Sequence, residues 1–370
     1  MRKYFTIKYD ECKSNFFKNL NTEQSRKSFL PIPSNKDSSL GIDFLYIPAK
    51  SVRTRFIVLC SGLHGIETYA GSALQQIFWR EFENELDREN TGYLFIHGIN
   101  AYGFKYYRRF TENNIDLNRN FDINSDLFLL KNIPYKNLHF LINSFRPLKN
   151  PFLEDIRFYF NIMRSIVTYG VPSLNQYLPQ GQYEFPEGIF YGGRFFEPHV
   201  KIIEDILKPL IDSYKYTFVF DIHTGVGKPG KMHIIEAPSA SKSLNTELVK
   251  SVFDGHHIEG EDSGIHKETG SFLDWIIKIA GNKNNLIPVL LDCGTIGSLS
   301  LTGALKSLKL VIRENQIYNN GSGNEYFRKE LLKQYCSMFY PDNEIWQNKI
   351  SSQFISLIKS VIPNFNEKCR

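Results

Sequence analysis

A histidine and a glutamate stand three residues apart in SGLHGIETYAGSALQQ, residues 61–76, directly after the apolar run FIVLC. An imidazole and a carboxylate at that spacing in a tight turn can hold one divalent ion. The pattern His-x-x-Glu occurs three times in the chain, so the setting of each copy has to discriminate. In KMHIIEAP, His233 and Glu236 fall on a strand-like run, where positions three apart point to opposite faces and cannot chelate one ion. In DGHHIEGED, His256 and Glu259 belong to a polar, acidic stretch that reads as solvated surface. Only His64 and Glu67 lie between a buried-strand pattern and an amphipathic helix, where Gly62, Gly65 and Gly71 let the backbone turn tightly.

A hydrolytic zinc site takes three protein ligands and keeps the next position for water or substrate. His223, at the end of the apolar run in FVFDIHTGVG, is the third candidate, and a purely structural imidazole stays open as the alternative. Two imidazoles and a carboxylate without cysteine suit zinc, which would polarise a carbonyl and lower the pKa of bound water to about 7. A second constellation is RRFTENNIDLNRNF, residues 108–121, with three arginines and four asparagines. A solvated loop is its ordinary reading, yet the arginine fork matches a carboxylate or a developing oxyanion. Asn118 and Arg119 could grip a substrate carboxylate, Arg109 or Arg108 could face the reacting carbonyl oxygen, and Asp116 could orient a ligand histidine.

These residues need elements to hold them. RFIVLC (55–60), GYLFIHG (92–98), YTFVFDIH (216–223) and IPVLLDC (287–293) are continuous apolar runs, the pattern of strands covered on both faces. Ala70, Ala73, Leu74, Ile77 and Phe78 fall on one helical face, and LTGALKSLKLVIREN (301–315) has a helical pattern too. Strand and helix alternate, so the class is α/β with a mixed or largely parallel sheet. Ligands of such sheets gather at the carboxyl ends of strands. Polar residues concentrate there: His64 and Glu67, His97 and Asn100, Asp221 and His223, and Asp292. His97 reads as a buried imidazole bonded to backbone, and Cys293 as a core residue. No repeat or linker divides residues 1–370, which read as one domain, with helices and loops of about 122–190 inserted at the rim of the site. Tyrosines and Arg194 in 182–194 either line the pocket or pack as a loop.

A net charge of +5 without a basic, aromatic-laced stripe argues against nucleic acid. The charged start MRKYFTIKYDECKSNFF resembles neither a secretory signal nor a membrane anchor, and five irregularly spaced cysteines frame no disulfide scaffold. A cytoplasmic location is expected. Oligomeric state is not encoded in any pattern.

Taken together, GLHGIETYAGSALQQ, NAYGFKYYRRFTENNIDLNRNF, GIFYGG, DIHTGVG and LLDCGT, with LKLVIRENQIYNNG after them, resemble the zinc carboxypeptidase superfamily. The likeness is to the group of carboxypeptidase A, and within it to a bacterial branch related to aspartoacylases and succinylglutamate desuccinylases. The resemblance implies an α/β/α sandwich with a mixed, mostly parallel eight-stranded sheet and one zinc per chain. It implies His64, Glu67 and His223 as ligands, Asn118 and Arg119 as the substrate-carboxylate clamp, and Asp116 as the aspartate behind a ligand histidine. Arg109, with Arg108 behind it, is implied at the oxyanion. One departure stands out: Asp292 in LLDCGT occupies the place of the branch's general-base glutamate. The missing methylene shortens its reach by about 1.5 Å, and a misplacement near 1 Å can cost on the order of a hundredfold in rate. Glu236, Glu268 and Glu314 are candidate substitutes for that base, but none stands at the motif position. The expected function is a zinc-dependent, metallocarboxypeptidase-like hydrolase cleaving an amide or peptide bond next to a free carboxylate, in a small peptide or an N-acyl amino acid. The alternatives are an N-acyl amino acid deacylase, or a zinc-binding protein that recognises a carboxylate-bearing ligand without turnover.

Overall fold

The apolar runs become the centre of one sheet in the computed structural model, which describes residues 1–171, 173–237, 246–260, 268–281, 285–297 and 300–370. Its strands are β1 (Arg26–Pro31), β2 (Gly41–Ile47), β3 (Arg55–Ser61), β4 (Thr91–His97), β5 (Tyr216–Gly225), β6 (Met232–Glu236) and β7 (Leu286–Gly294). They lie in the order β1-β2-β4-β3-β5-β7-β6. The neighbours β4, β3, β5 and β7 are parallel, while β1, β2 and β6 add antiparallel pairs at the two edges. The sheet is therefore mixed, as expected, but it has seven strands among the described residues rather than eight. Beyond β6, among the described residues, one residue pairs: Glu259 exchanges backbone hydrogen bonds with Ile234 and Glu236 at 2.8 and 3.0 Å. Residues 254–260 carry charge and include Gly255 and Gly260, so they offer no alternating apolar side chains with which to extend that bridge into a strand.

Burial on both faces explains the unbroken hydrophobicity of the central strands. Along β3, Ile57 and Leu59 point to one side and Phe56, Val58 and Cys60 to the other. The first side is covered by α1 (Tyr9–Leu20) and α2 (Thr68–Phe82), with Ala70, Ala73, Leu74, Ile77 and Phe78 in contact with the sheet's core. Between β4 and β5 come α3 (Ala101–Tyr106), then α4 (Ile133–Ile142) and α5 (Pro151–Tyr169) in the segment read as a rim insertion, then α6 (Pro198–Ser213). Next follow α7 (Thr246–Val252), α8 (Phe272–Ala280), α9 (Leu301–Asn320), α10 (Glu325–Phe339) and α11 (Glu344–Lys368). The second face is closed by Ile203, Leu207 and Ile211 of α6 and Trp275 and Ile276 of α8. Helix α11 closes the first face with Phe354, Leu357 and Phe365. Each such side chain contributes roughly 1.5–3 kcal/mol on burial. The helix expected from residue 301 begins there, capped by Ser300, and continues to Gly321, whose φ of 78° ends it.

All five cysteines are unpaired. No helix among the described residues is long and apolar enough to cross a membrane.

Two buried histidines make the fold sensitive to acid. Burial pushes His199 of α6 down to about 3 and His139 of α4 down to about 4, from an ordinary value of 6.5. The unfolded chain therefore binds protons that the folded chain refuses, so stability should fall as pH drops from about 6.5 toward about 4. Glu197, pushed up by its own burial, works in the opposite direction, and the histidine part is read by difference. Urea midpoints measured at pH 7 and pH 4.5 should fall less in His139→Gln/His199→Gln than in the parent chain. An equal fall in both proteins would refute the assignment.

Candidate metal centre

The turn after β3 works because two positions have no Cβ. Gly62 has a φ of +81°, and a Cβ there would meet Thr68 Oγ1 at 2.1 Å; one on Gly65 would lie 2.2 Å from the Gly103 carbonyl carbon of α3. That close approach lets the Arg108 and Arg109 carbonyls accept hydrogen bonds from the amides of Ile66 and Gly65 at 2.8 and 3.3 Å. His64 precedes a single 3₁₀ turn, Gly65–Glu67, that runs into α2. The turn folds Glu67 back so that its Oε1 lies 2.9 Å from His64 Nδ1.

The third group comes from the neighbouring strand. Asp221 and His223 are two apart on β5 and share a face, and Asp221 Oδ2 sits 2.8 Å from His223 Nε2. His223 Nδ1 is thereby aimed inward, 3.1 Å from Glu67 Oε2 and 3.2 Å from His64 Nδ1. On the far side of His64, Nε2 lies 3.2 Å from Asp116 Oδ1. Each imidazole thus has a carboxylate behind it, which favours a proton on Nε2 and leaves the Nδ1 lone pair facing the other ligand. The amide of Thr224 donates to Glu67 Oε2 at 2.9 Å and locks the carboxylate in place.

This donor set fits a divalent cation. Two nitrogen lone pairs and a carboxylate converge within 4.8 Å, all buried, and without a positive charge between them they repel. Two imidazoles and a carboxylate are a known hydrolytic zinc set. The surroundings are rich in anions: Glu67, Asp116, Asp221 and Asp292 stand with Arg109 as the nearest guanidinium. Protons on the imidazoles supply that positive charge when no ion does: burial would raise Glu67, but charge on His64 and His223 holds it below the usual carboxylate range. Asp116 is likewise held down against burial by Arg109 and His64. Among the described residues Asp292 makes no ion pair. Burial and the Glu67 charge push its carboxyl up to about 8, although His223, the Val226 amide and Arg109 pull the other way. A dication at the ligands would ease this excess of negative charge.

The remaining residues singled out in the sequence separate into two groups. Arg109 lies against the ligands, its Nε donating to Asp116 Oδ2 at 3.0 Å and one terminal nitrogen 3.8 Å from Glu67. Asp292 lies directly beside His223 across the β5–β7 pair, its Oδ1 accepting from the Val226 amide at 3.0 Å. Asn118 and Arg119 stand together after Asp116, and both donate to Glu268, at 2.7 and 2.8 Å. Arg108 is elsewhere. It is buried, donates to Glu314 at 2.6 and 3.3 Å and stacks on Tyr318, so its guanidinium is committed to holding α9 rather than facing the candidate metal ligands.

Of the other histidines, His97 is buried as expected but meets side chains, Asp43 at 3.3 Å and Ser72 at 3.0 Å, rather than backbone. His233 and Glu236 do not chelate together; His233 Nδ1 instead lies 2.6 Å from Glu259, so the second and third His-x-x-Glu copies are tied to one another. Glu259 is accordingly no free surface group. The loop 182–194 packs over residues 116–120, with Tyr183 donating to the Arg119 carbonyl at 2.8 Å and Asp116 N to the Tyr191 carbonyl at 2.7 Å. Arg194 is exposed. Asp221 went without a role in the sequence reading, although its i, i+2 spacing from His223 on a strand was the available signal.

The chain belongs to the family described as Protein of unknown function (DUF2817), whose model matches residues 5–353. No curated protein matches the sequence. Solved structures that match include bovine thrombin-activatable fibrinolysis inhibitor in complex with tick carboxypeptidase inhibitor, 14% identical, with a TM-score of 0.49, over 95% of this chain and 98% of that one. Carboxypeptidase A from Helicoverpa armigera is 13% identical, with a TM-score of 0.42, over 89% and 71% of the two chains. Succinylglutamate desuccinylase/aspartoacylase from Rhodobacter sphaeroides is 11% identical, with a TM-score of 0.36, over 82% and 67%.

Elemental analysis of purified protein supplied with zinc should find about one zinc per chain, lost in His64→Ala and in His223→Ala. Asp221→Asn should weaken zinc affinity by roughly 10- to 100-fold, the usual cost of removing a carboxylate behind a ligand histidine. Full zinc retention in both histidine variants would disprove the ligand set.

Proposed function

We propose that this chain is a zinc-dependent hydrolase of an amide or peptide bond next to a free carboxylate, with carboxypeptidase-like cleavage ahead of deacylation of an N-acyl amino acid. The observation that carries the reading is the convergence of His64, Glu67 and His223, with Arg109 and Asp292 beside them. When bound, zinc polarises the scissile carbonyl and lowers the pKa of water. The protein's own groups do the rest. Arg109, held by Asp116, keeps a fixed cation where negative charge develops on the carbonyl oxygen. Asp292 takes a proton from the attacking water and returns it to the leaving nitrogen. Asn118 and Arg119 anchor the substrate carboxylate, and Asp116 links that anchor to His64 because its Oδ1 accepts from the Asn118 amide at 3.1 Å. Small peptides and N-acyl amino acids are the substrate classes that bring a carboxylate and an amide within the span of such a site.

One feature supports a second reading. Asp292 is short for the task and its Oδ1 is held by the Val226 amide, which suits a protein that binds a carboxylate ligand without turning it over. Turnover separates the two. Zinc-loaded protein should hydrolyse members of a panel of peptides and N-acyl amino acids. Asp292→Asn should then lower kcat by about 10²–10⁴, the usual contribution of a general base, and Arg109→Ala by about 10²–10³. A panel left intact by protein carrying one zinc per chain would favour the binding reading.

A further inference from the structure

The carboxylate clamp already holds a carboxylate, and it belongs to this chain. Glu268 Oε2 accepts from Asn118 Nδ2 at 2.7 Å, and Glu268 Oε1 accepts from a terminal nitrogen of Arg119 at 2.8 Å. The clamp's other hydrogen-bonding groups face the protein. Asn118 Oδ1 accepts from the Phe272 amide at 3.0 Å, which turns the Nδ2 group toward Glu268. Arg119, 1% exposed, spends Nε on the Pro179 carbonyl at 2.9 Å and one terminal nitrogen on the Asn118 carbonyl at 2.7 Å, and the terminal nitrogen that meets Glu268 also donates to the Pro179 carbonyl at 2.5 Å. Asn118 Nδ2 and that shared Arg119 nitrogen are the clamp donors that Glu268 uses.

The backbone keeps Glu268 there. Thr269 N donates to the Gln180 carbonyl and Phe121 N to the Gly270 carbonyl, each at 3.0 Å. Tyr183 and Arg119 also pack against this strip: Tyr183 reaches Thr269 Oγ1 at 3.2 Å, and a Cβ on Gly270 would lie 2.4 Å from the Arg119 carbonyl oxygen. The Glu268 side chain itself is 28% exposed, so it can swing toward water while its backbone stays anchored. Loss of Glu268 alone would strip a buried guanidinium of its counter-ion, whereas exchange of one carboxylate for another would not.

We propose that Glu268 is an internal competitor for the clamp, a specificity-determining residue that a substrate carboxylate must displace. Two carboxylates cannot share these two donors, because both would be desolvated side by side with like charge. Ligands with a weakly held carboxylate are then rejected, and those with enough additional contact to displace Glu268 are accepted. This rests on the carboxylate-anchor role of Asn118 and Arg119 in the proposed function.

The test is calorimetric binding to zinc-loaded protein of 3-phenylpropanoate, which has a carboxylate and no cleavable amide, beside its neutral primary amide. If Glu268 fills the clamp at least nine-tenths of the time, its removal tightens binding by about tenfold or more, since apparent affinity scales with the competent fraction. Glu268→Ala should show that gain, and Glu268→Gln, which keeps the shape if the alanine variant folds poorly, should show a gain in the same direction. The neutral amide should show none, and Asn118→Ala placed on Glu268→Ala should remove it. Equal affinity for the carboxylate in parent and variants would overturn the proposal while leaving the anchor intact. No binding in any of them would overturn the proposal together with the anchor, a failure that the hydrolysis panel registers separately.

Discussion

Three electron-rich atoms meet in a buried pocket: the Nδ1 atoms of His64 and His223, 3.2 Å apart, and the Glu67 carboxylate. Without a cation they repel, and the protein spends much of its local structure holding them together. Asp116 and Asp221 occupy the outer nitrogens, the Thr224 amide pins Glu67, and the glycine at 65 brings α3 close enough for backbone to brace the turn. The parallel pairing of β3 with β5 is what sets the two histidines beside each other, since Ser61 and Ile222 are register partners just before them.

Asp116 is the hub from which the rest of the site spreads. One oxygen meets His64 and the Asn118 amide, and the other meets Arg109. Three functions proposed for separate residues, ligand orientation, charge at the carbonyl oxygen and carboxylate anchoring, therefore share one buried carboxylate. Its ionised form is secured by Arg109 and His64 against the burial that would neutralise it. The proposed anchor at the far end of this network, Asn118 with Arg119, donates to Glu268, so the network ends on a carboxylate of this chain.

Much of this was legible along the chain. The four apolar runs became β3, β4, β5 and β7, because strands buried on both faces cannot afford polar positions. The His64/Glu67 pair was readable because glycines flanked it between a strand and a helix. Less legible were partners set by contacts between distant segments. Arg108 and Arg109 are adjacent and chemically identical, yet one holds Glu314 and the other Asp116. Glu268, considered only as a spare base, lies on Asn118 and Arg119, and Glu259, expected in solvent, holds His233.

Residue type and local spacing determined the elements, the ligand turn and the pairing of Asp221 with His223, since periodicities of 2 and 3.6 residues act within a few positions. Tertiary structure decided which of two neighbouring arginines turns inward and which carboxylate meets Asn118 and Arg119. Those outcomes depend on backbone anchored far away in sequence, at Gln180, Gly270 and Tyr335, where hydrogen bonds between segments select one of several chemically equivalent partners.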